Sequence, residues 1–197
     1  LILLTSIVLQ ALSFNAMFSL VKSSAIDRAK QVREYIEPLV LKNLDELSQF
    51  IDESDIELPS YQTLKSITES IQGATGAKFV YISRRGTDKK WYYVADGYTS
   101  DSPLYTPLGT AVEEDYIPIY AKLVASKNDI PGQYENGSFG RLISSYFPIL
   151  DKTGQVVAVI GTDFDISQSY NTFLGNFLNG MAIAIAFTLI ALRSEEH

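Results

Sequence analysis

Residues 140–167 read GRLISSYFPILDKTGQVVAVIGTDFDIS, and the reading of this stretch decides the fold. Arg141 to Leu150 is rich in β-branched and aromatic residues, and so is Gln155 to Asp165, which predicts two strands. Between them, Asp151-Lys152-Thr153-Gly154 has Asp and Gly where a four-residue turn wants them. Val156-Val157-Ala158-Val159-Ile160 is apolar on both faces, as a central strand covered on two sides must be. The run closes on Gly161-Thr162-Asp163-Phe164-Asp165, which sets two carboxylates two residues apart on one face of the strand end.

Outward from this hairpin, Phe79 to Ser83 and Trp91 to Asp96 are predicted strands, joined by a charged turn over Arg84 to Lys90. Gly97 to Thr110, with Tyr98, Pro103, Tyr105 and Pro107, reads as an irregular loop. Loops of that length usually serve a function or are disordered. Glu113 to Lys127 is a predicted helix with Tyr116, Tyr120, Leu123 and Val124 on one stripe. Asn136-Gly137 then marks a tight hairpin, although Asn136-Gly137-Ser138 also fits a glycosylation acceptor. Upstream, Ala25, Ala29, Val32, Ile36 and Leu39, followed by Val40, Leu44, Leu47 and Ile51, predict one long helix over Lys22 to Glu53, kinked at Pro38. A second helix, capped by Ser60 and ended by Gly73 and Gly76, should turn Leu64, Ile67 and Ile71 inward. Helices first, then strands around a loop and helix, make an α+β fold with a five-stranded antiparallel sheet and the long helix on one face.

The two ends differ from this middle. Leu1 to Val21 carries no charge, and neither does any residue between Asp165 and Arg193. Each end can supply the roughly 20 apolar residues that cross a bilayer. The expected organisation is a transmembrane helix over 1–21, a domain over 22–172, a second transmembrane helix over 173–192 and the start of a cytoplasmic portion at 193–197. With 16 basic and 23 acidic residues the net charge is −7, which argues against nucleic acid as a partner. No cysteine is present, so disulfides and thiolate chemistry are excluded.

The strand, the D-x-x-G turn, the Val-rich strand and the G-x-D-x-D ending resemble the last hairpin of a Cache domain, and Trp91-Tyr92-Tyr93-Val94-Ala95-Asp96-Gly97 resembles an earlier strand of it. Cache domains are PAS-like extracytoplasmic sensors of bacterial and archaeal transmembrane receptors of the chemoreceptor or sensor-kinase type. The resemblance implies a sensor domain outside the cell membrane that recognises a small organic molecule, a carboxylate or an amino acid, and signals through the second membrane helix. Amino-acid-binding members carry an Arg-x-Trp-Tyr signature. Trp91 and Tyr92 match it, Lys89 replaces the arginine, and Arg84 stands where an upstream tyrosine would. Lysine cannot make the bidentate fork of arginine.

The residues themselves allow a pocket. Lys89, Trp91 and Tyr93 share one strand face, Tyr81 lies on the neighbouring strand, Tyr105 lies in the covering loop, and Ser144, Tyr146 and Asp163 come from the closing hairpin. Asp163 would attract an ammonium; tyrosine hydroxyls and Lys89 would hold a carboxylate. The only histidine is His197, so no Ser-His-Asp triad or histidine metal site is possible. Asp163 and Asp165 point the same way, whereas a glycosidase pair must face across a sugar. Asp96 to Asp101 lacks the spacing of a calcium loop. No cofactor and no enzymatic activity are expected. The half of the long helix before Pro38 is expected to pair with a second copy through Ala25, Ala29, Val32 and Ile36. Two other readings stay open: a module read by a periplasmic partner protein, and a membrane-anchored hydrolase.

Overall fold

The computed structural model describes residues 2–47, 50 and 53–195. Ile51 and His197 lie outside the described residues, whereas Glu53, the expected end of the long helix, belongs to a separate 3-10 turn (Glu53–Asp55). Helix α1 (Ile2–Lys42) is continuous through Pro38, and a short α2 (Leu44–Leu47) follows. Helix α3 (Pro59–Thr75) begins on its proline and ends at Gly76, whose φ of 66° is a left-handed cap. Strands β1 (Phe79–Arg85) and β2 (Trp91–Asp96) precede α4 (Ile117–Ser126), and β3 (Ile130–Gly137), β4 (Gly140–Leu150) and β5 (Val156–Asp165) run into α5 (Ser167–Glu195). The sheet order is β2-β1-β5-β4-β3, antiparallel throughout. β5, the apolar run of the opening stretch, is the central strand.

Two apolar layers sandwich the sheet. On one face Ala25, Ala29, Val32, Ile36 and Val40 of α1 are fully buried against Val80, Ile82, Ile143, Phe147 and Ile160. These include the residues expected to pair with a second copy. They face the chain's own sheet because small and β-branched side chains let α1 lie close on it. α3 covers β1 and β2 beside α1 with Tyr61, Leu64, Thr68 and Gln72 buried, so its inner stripe is more polar than expected. Thr68 donates to Leu64 O, and Gln72 Oε1 accepts from Val80 N at 2.9 Å, so both polar groups are satisfied. On the other face α4 buries Tyr120 and Leu123 over Trp91, Tyr93, Tyr146, Val156 and Val159.

The turn chemistry is visible in detail. Asp151 Oδ1 accepts from Thr153 N at 2.8 Å and Gln155 N at 3.0 Å, and Gly154 takes φ 77°. The β3–β4 hairpin turns at Ser138-Phe139 rather than at Asn136-Gly137: Asn136 pairs with Arg141, Gly137 pairs with Gly140, and Gly140 carries φ 96°. The strands slide by an even number of residues, so every side chain keeps its face.

Helices α1 and α5 each contain an 18-residue stretch apolar enough to cross a membrane, with mean hydropathy 1.6 and 1.8. They pack on each other. Phe14 meets Tyr170 and Phe173 edge-on at 5.6 and 6.5 Å, and Gln10 fills the space at Gly180 that a side chain would need.

Candidate functional site

A cavity of about 230 Å³ opens between the α4 face of the sheet and the loop after β2. Its floor is Tyr81 on β1 and Asp163 on β5. The close pairing of Tyr81 with Gly161 lays the phenol ring over the glycine, where no side chain fits. Phe79, Tyr93, Glu113, Tyr116, Phe139 and Leu142 line its sides, and Pro103 to Thr106 line it from the loop after β2.

Asp163 dominates the electrostatics. It is only 8% exposed, and its Oδ1 is buried without a hydrogen-bond partner. Burial pushes its carboxyl up to about 7. The Ser144 hydroxyl, opposite it on β4, pulls part of the way back, although its geometry falls short of a hydrogen bond; the charge of Glu135 pushes up again. An orphaned carboxylate oxygen at the floor of a cavity is costly unless something visits it.

The phenols around it are held. Tyr93 Oη donates to Glu113 Oε2 and Tyr146 Oη donates to Glu135 Oε1, both at 2.8 Å. Burial raises both hydroxyls, so they stay protonated as donors. Tyr81 is raised too, first by burial and then by the Asp163 charge.

The cover is pinned from beneath. Lys65 of α3 donates to Asp96 Oδ1 at 2.5 Å, to Asp96 O at 2.8 Å and to Tyr98 O, and its ammonium lies 4.8 Å from the Tyr105 ring centre. Asp96 Oδ2 accepts from Thr106 N at 2.6 Å. One buried ion pair thus ties both ends of the loop. Farther on, Thr110 O accepts from Tyr93 N, and Gly109 N donates to Tyr93 O, so the chain also seals the open edge of β2.

The expected site residues divide. Tyr81, Tyr93, Tyr105 and Asp163 meet at the cavity, with Ser144 and Tyr146 buried beside them. Trp91 shares the face but packs on Tyr120 at 4.9 Å between centroids, under α4. Lys89 sits in the β1–β2 turn with φ 68°, outside the cavity, because the strand begins only at Trp91. Sequence reading missed Lys65, Glu113, Glu135 and Phe139. Lys65 left a signal: a cation beside the inner stripe of α3 needs a buried acid, and Asp96 ends the neighbouring strand.

No family model matches the chain, and no curated protein matches its sequence. Solved structures do match. The sensor domain of E. coli DcuS superposes with a TM-score of 0.51 at 12% identity, over 79% of this chain and 98% of that one. The sensor domain of the V. cholerae histidine kinase DctB gives 0.46 at 19% identity, over 80% of this chain and 57% of that one. The ligand-binding domain of the Campylobacter jejuni chemoreceptor Tlp3, in complex with 4-methylisoleucine, gives 0.44 at 11% identity, over 87% of this chain and 63% of that one. The chain spans less than two thirds of the last two. The likeness to DcuS shows the fold alone: an α+β, PAS-like domain with a five-stranded antiparallel sheet and a long N-terminal helix on one face.

Proposed function

We propose that the chain is the ligand-binding region of a transmembrane signalling receptor, and that its ligand is a small organic molecule bearing a protonated amine. The observation that carries this reading is Asp163: a buried carboxylate, orphaned at Oδ1, on the floor of an aromatic cavity. An ammonium there would gain a charge-assisted hydrogen bond and the faces of Tyr81 and Tyr93. An amino acid remains within this class, as does an amine without a carboxylate. Among the described residues no lysine or arginine lines the cavity, so a ligand carboxylate would fall to phenol and backbone donors.

The domain, 22–172, would lie outside the cell membrane between the spans 1–21 and 173–192, and would act by binding rather than catalysis. Signal would pass along β5. Only Ile166 separates Asp165 from α5, and Asp165 is clamped there: Oδ1 accepts from Ser167 N at 2.8 Å and Oδ2 from Lys78 Nζ at 2.9 Å. Lys78 Nζ also donates to Phe139 O, at the cavity rim. Occupancy of the cavity would bias the position of α5 through this clamp. A homodimer through the N-terminal helix would use the outward face of α1, where Leu20 and Tyr35 are exposed, because the inward stripe is taken.

The test is calorimetry on the detergent-solubilised full chain with butylamine, leucine and succinate, for wild type and Asp163→Asn. Amine-bearing compounds should bind wild type and not the variant. Succinate binding alone, or equal amine binding by both chains, would overturn the reading.

A further inference from the structure

The cavity does not end at Tyr116. On the far side of that ring a groove of about 600 Å³ continues between the start of α4 and β3, sharing Glu113, Tyr116, Phe139 and Leu142 with the cavity. Its own acids are Asp115 and Glu135. Tyr116 stands among all four carboxylates. Burial raises its hydroxyl to about 12, and the charges that add to this are Glu135, Asp163, Glu113 and Asp115. Among the described residues no lysine, arginine or histidine lines either space, and no ion pair forms with any of the four. The cations nearby are engaged elsewhere, Lys65 on Asp96 and Lys78 on Asp165. Acids massed without a counter-charge repel one another, and the Glu135 charge reaches the buried Asp163.

We infer that the natural ligand is a linear organic dication or polycation of the aliphatic polyamine class, with one ammonium on Asp163 and a second in the Glu135–Asp115 groove. The inference rests on the reading of the cavity as an amine site. Several features fit it together. Asp163 offers an unpartnered oxygen, more than nine-tenths buried, at the closed end. Glu135 lies on β3, two strands away from β5 and on the same face, and its register partner through Leu142 is Asp165, two residues beyond Asp163, so the two backbones are about 12 Å apart on the diagonal. That span suits a short alkyl chain between two amines. Tyr116 and Phe139 line the passage, and aromatic rings accept both methylene stems and ammonium heads. A compact metal cation does not fit: among the described residues no group of three or more metal-ligating side chains comes together.

Calorimetry on the full chain at low ionic strength, with putrescine, spermidine and butylamine, tests this. Putrescine and spermidine should each bind at least about tenfold more tightly than butylamine, because each adds one ion pair in a field of uncompensated acids. Asp115→Asn combined with Glu135→Gln should reduce that ratio to about twofold, and Asp115→Asn alone, at an exposed side chain, should reduce it part of the way. Added salt should lower the ratio as well. Butylamine binding as tightly as putrescine would overturn the inference and leave the amine site standing. A ratio unmoved by both variants would also overturn it. Absence of binding by all three amines would overturn both.

Discussion

Replacing Asp163 by asparagine is expected to stabilise the unliganded domain, and to do so more as pH rises. The carboxyl's value is raised by burial from an ordinary 3.8 to about 7 in the folded chain. Folding therefore favours the protonated form. Stability is whole below about pH 4 and is lost as pH rises through the folded value near 7. The difference of about 3 pH units, at about 1.4 kcal/mol each, sets a ceiling of about 4 kcal/mol on the cost of ionised Asp163 at alkaline pH. Asparagine keeps the shape and carries no charge. The stability gap between variant and wild type should widen by about 3 kcal/mol from about pH 5 to about pH 8. Other titrating groups act nearly equally on both chains and drop out of the comparison. The assay is urea unfolding of the detergent-solubilised chain, read by the single tryptophan, Trp91, which is buried against Tyr120. A gap that stays constant with pH would refute the claim that Asp163 is buried without a partner, and so would a variant less stable than wild type at about pH 8.

Other substitutions probe the cover and the floor. Lys65→Met removes the cation from a buried pair and strands Asp96, at a cost of about 3 kcal/mol; amide exchange over residues 97–106 should accelerate, and unchanged exchange would contradict the pinning of the loop. Gly161→Ala puts a methyl group into the ring of Tyr81, so about 2 kcal/mol of stability and at least about tenfold in butylamine affinity should be lost; wild-type values for both would show that the ring does not define the floor.

Much of the fold is legible because its signals are local. The Asp151 turn, the apolar β5 run and the Gly76 cap each follow from a few adjacent residues. The missed features depend on partners far along the chain. Gln72 is buried rather than Ile71 because Val80 N, on the next strand, needs its amide oxygen, and hydropathy cannot anticipate that bond. Alternation assigns Trp91 and Tyr93 to the same face, but not which part of that face lies under α4 and which under the loop. Lys89 falls two residues before the regular strand, where a left-handed backbone redirects its side chain. The Asn136-Gly137 signal is real but local, and the register of β3 on β4 is set by the whole ladder. Glu113 and Glu135 look like ordinary solvated acids in sequence; only the fold brings them toward Asp163.

Proton release on binding tests most directly the claim that an ammonium pairs with ionised Asp163. With the free carboxyl at about 7, roughly nine in ten molecules carry the proton at about pH 6, and an arriving ammonium must expel it. Calorimetry of butylamine or putrescine binding, in two buffers that differ in ionisation enthalpy, counts those protons. Close to one proton released per ligand at about pH 6 and almost none at about pH 8.5 is the result expected, with no binding heat in Asp163→Asn at either pH. Binding at about pH 6 with no buffer dependence would contradict the account, because the amine would then be held somewhere other than Asp163.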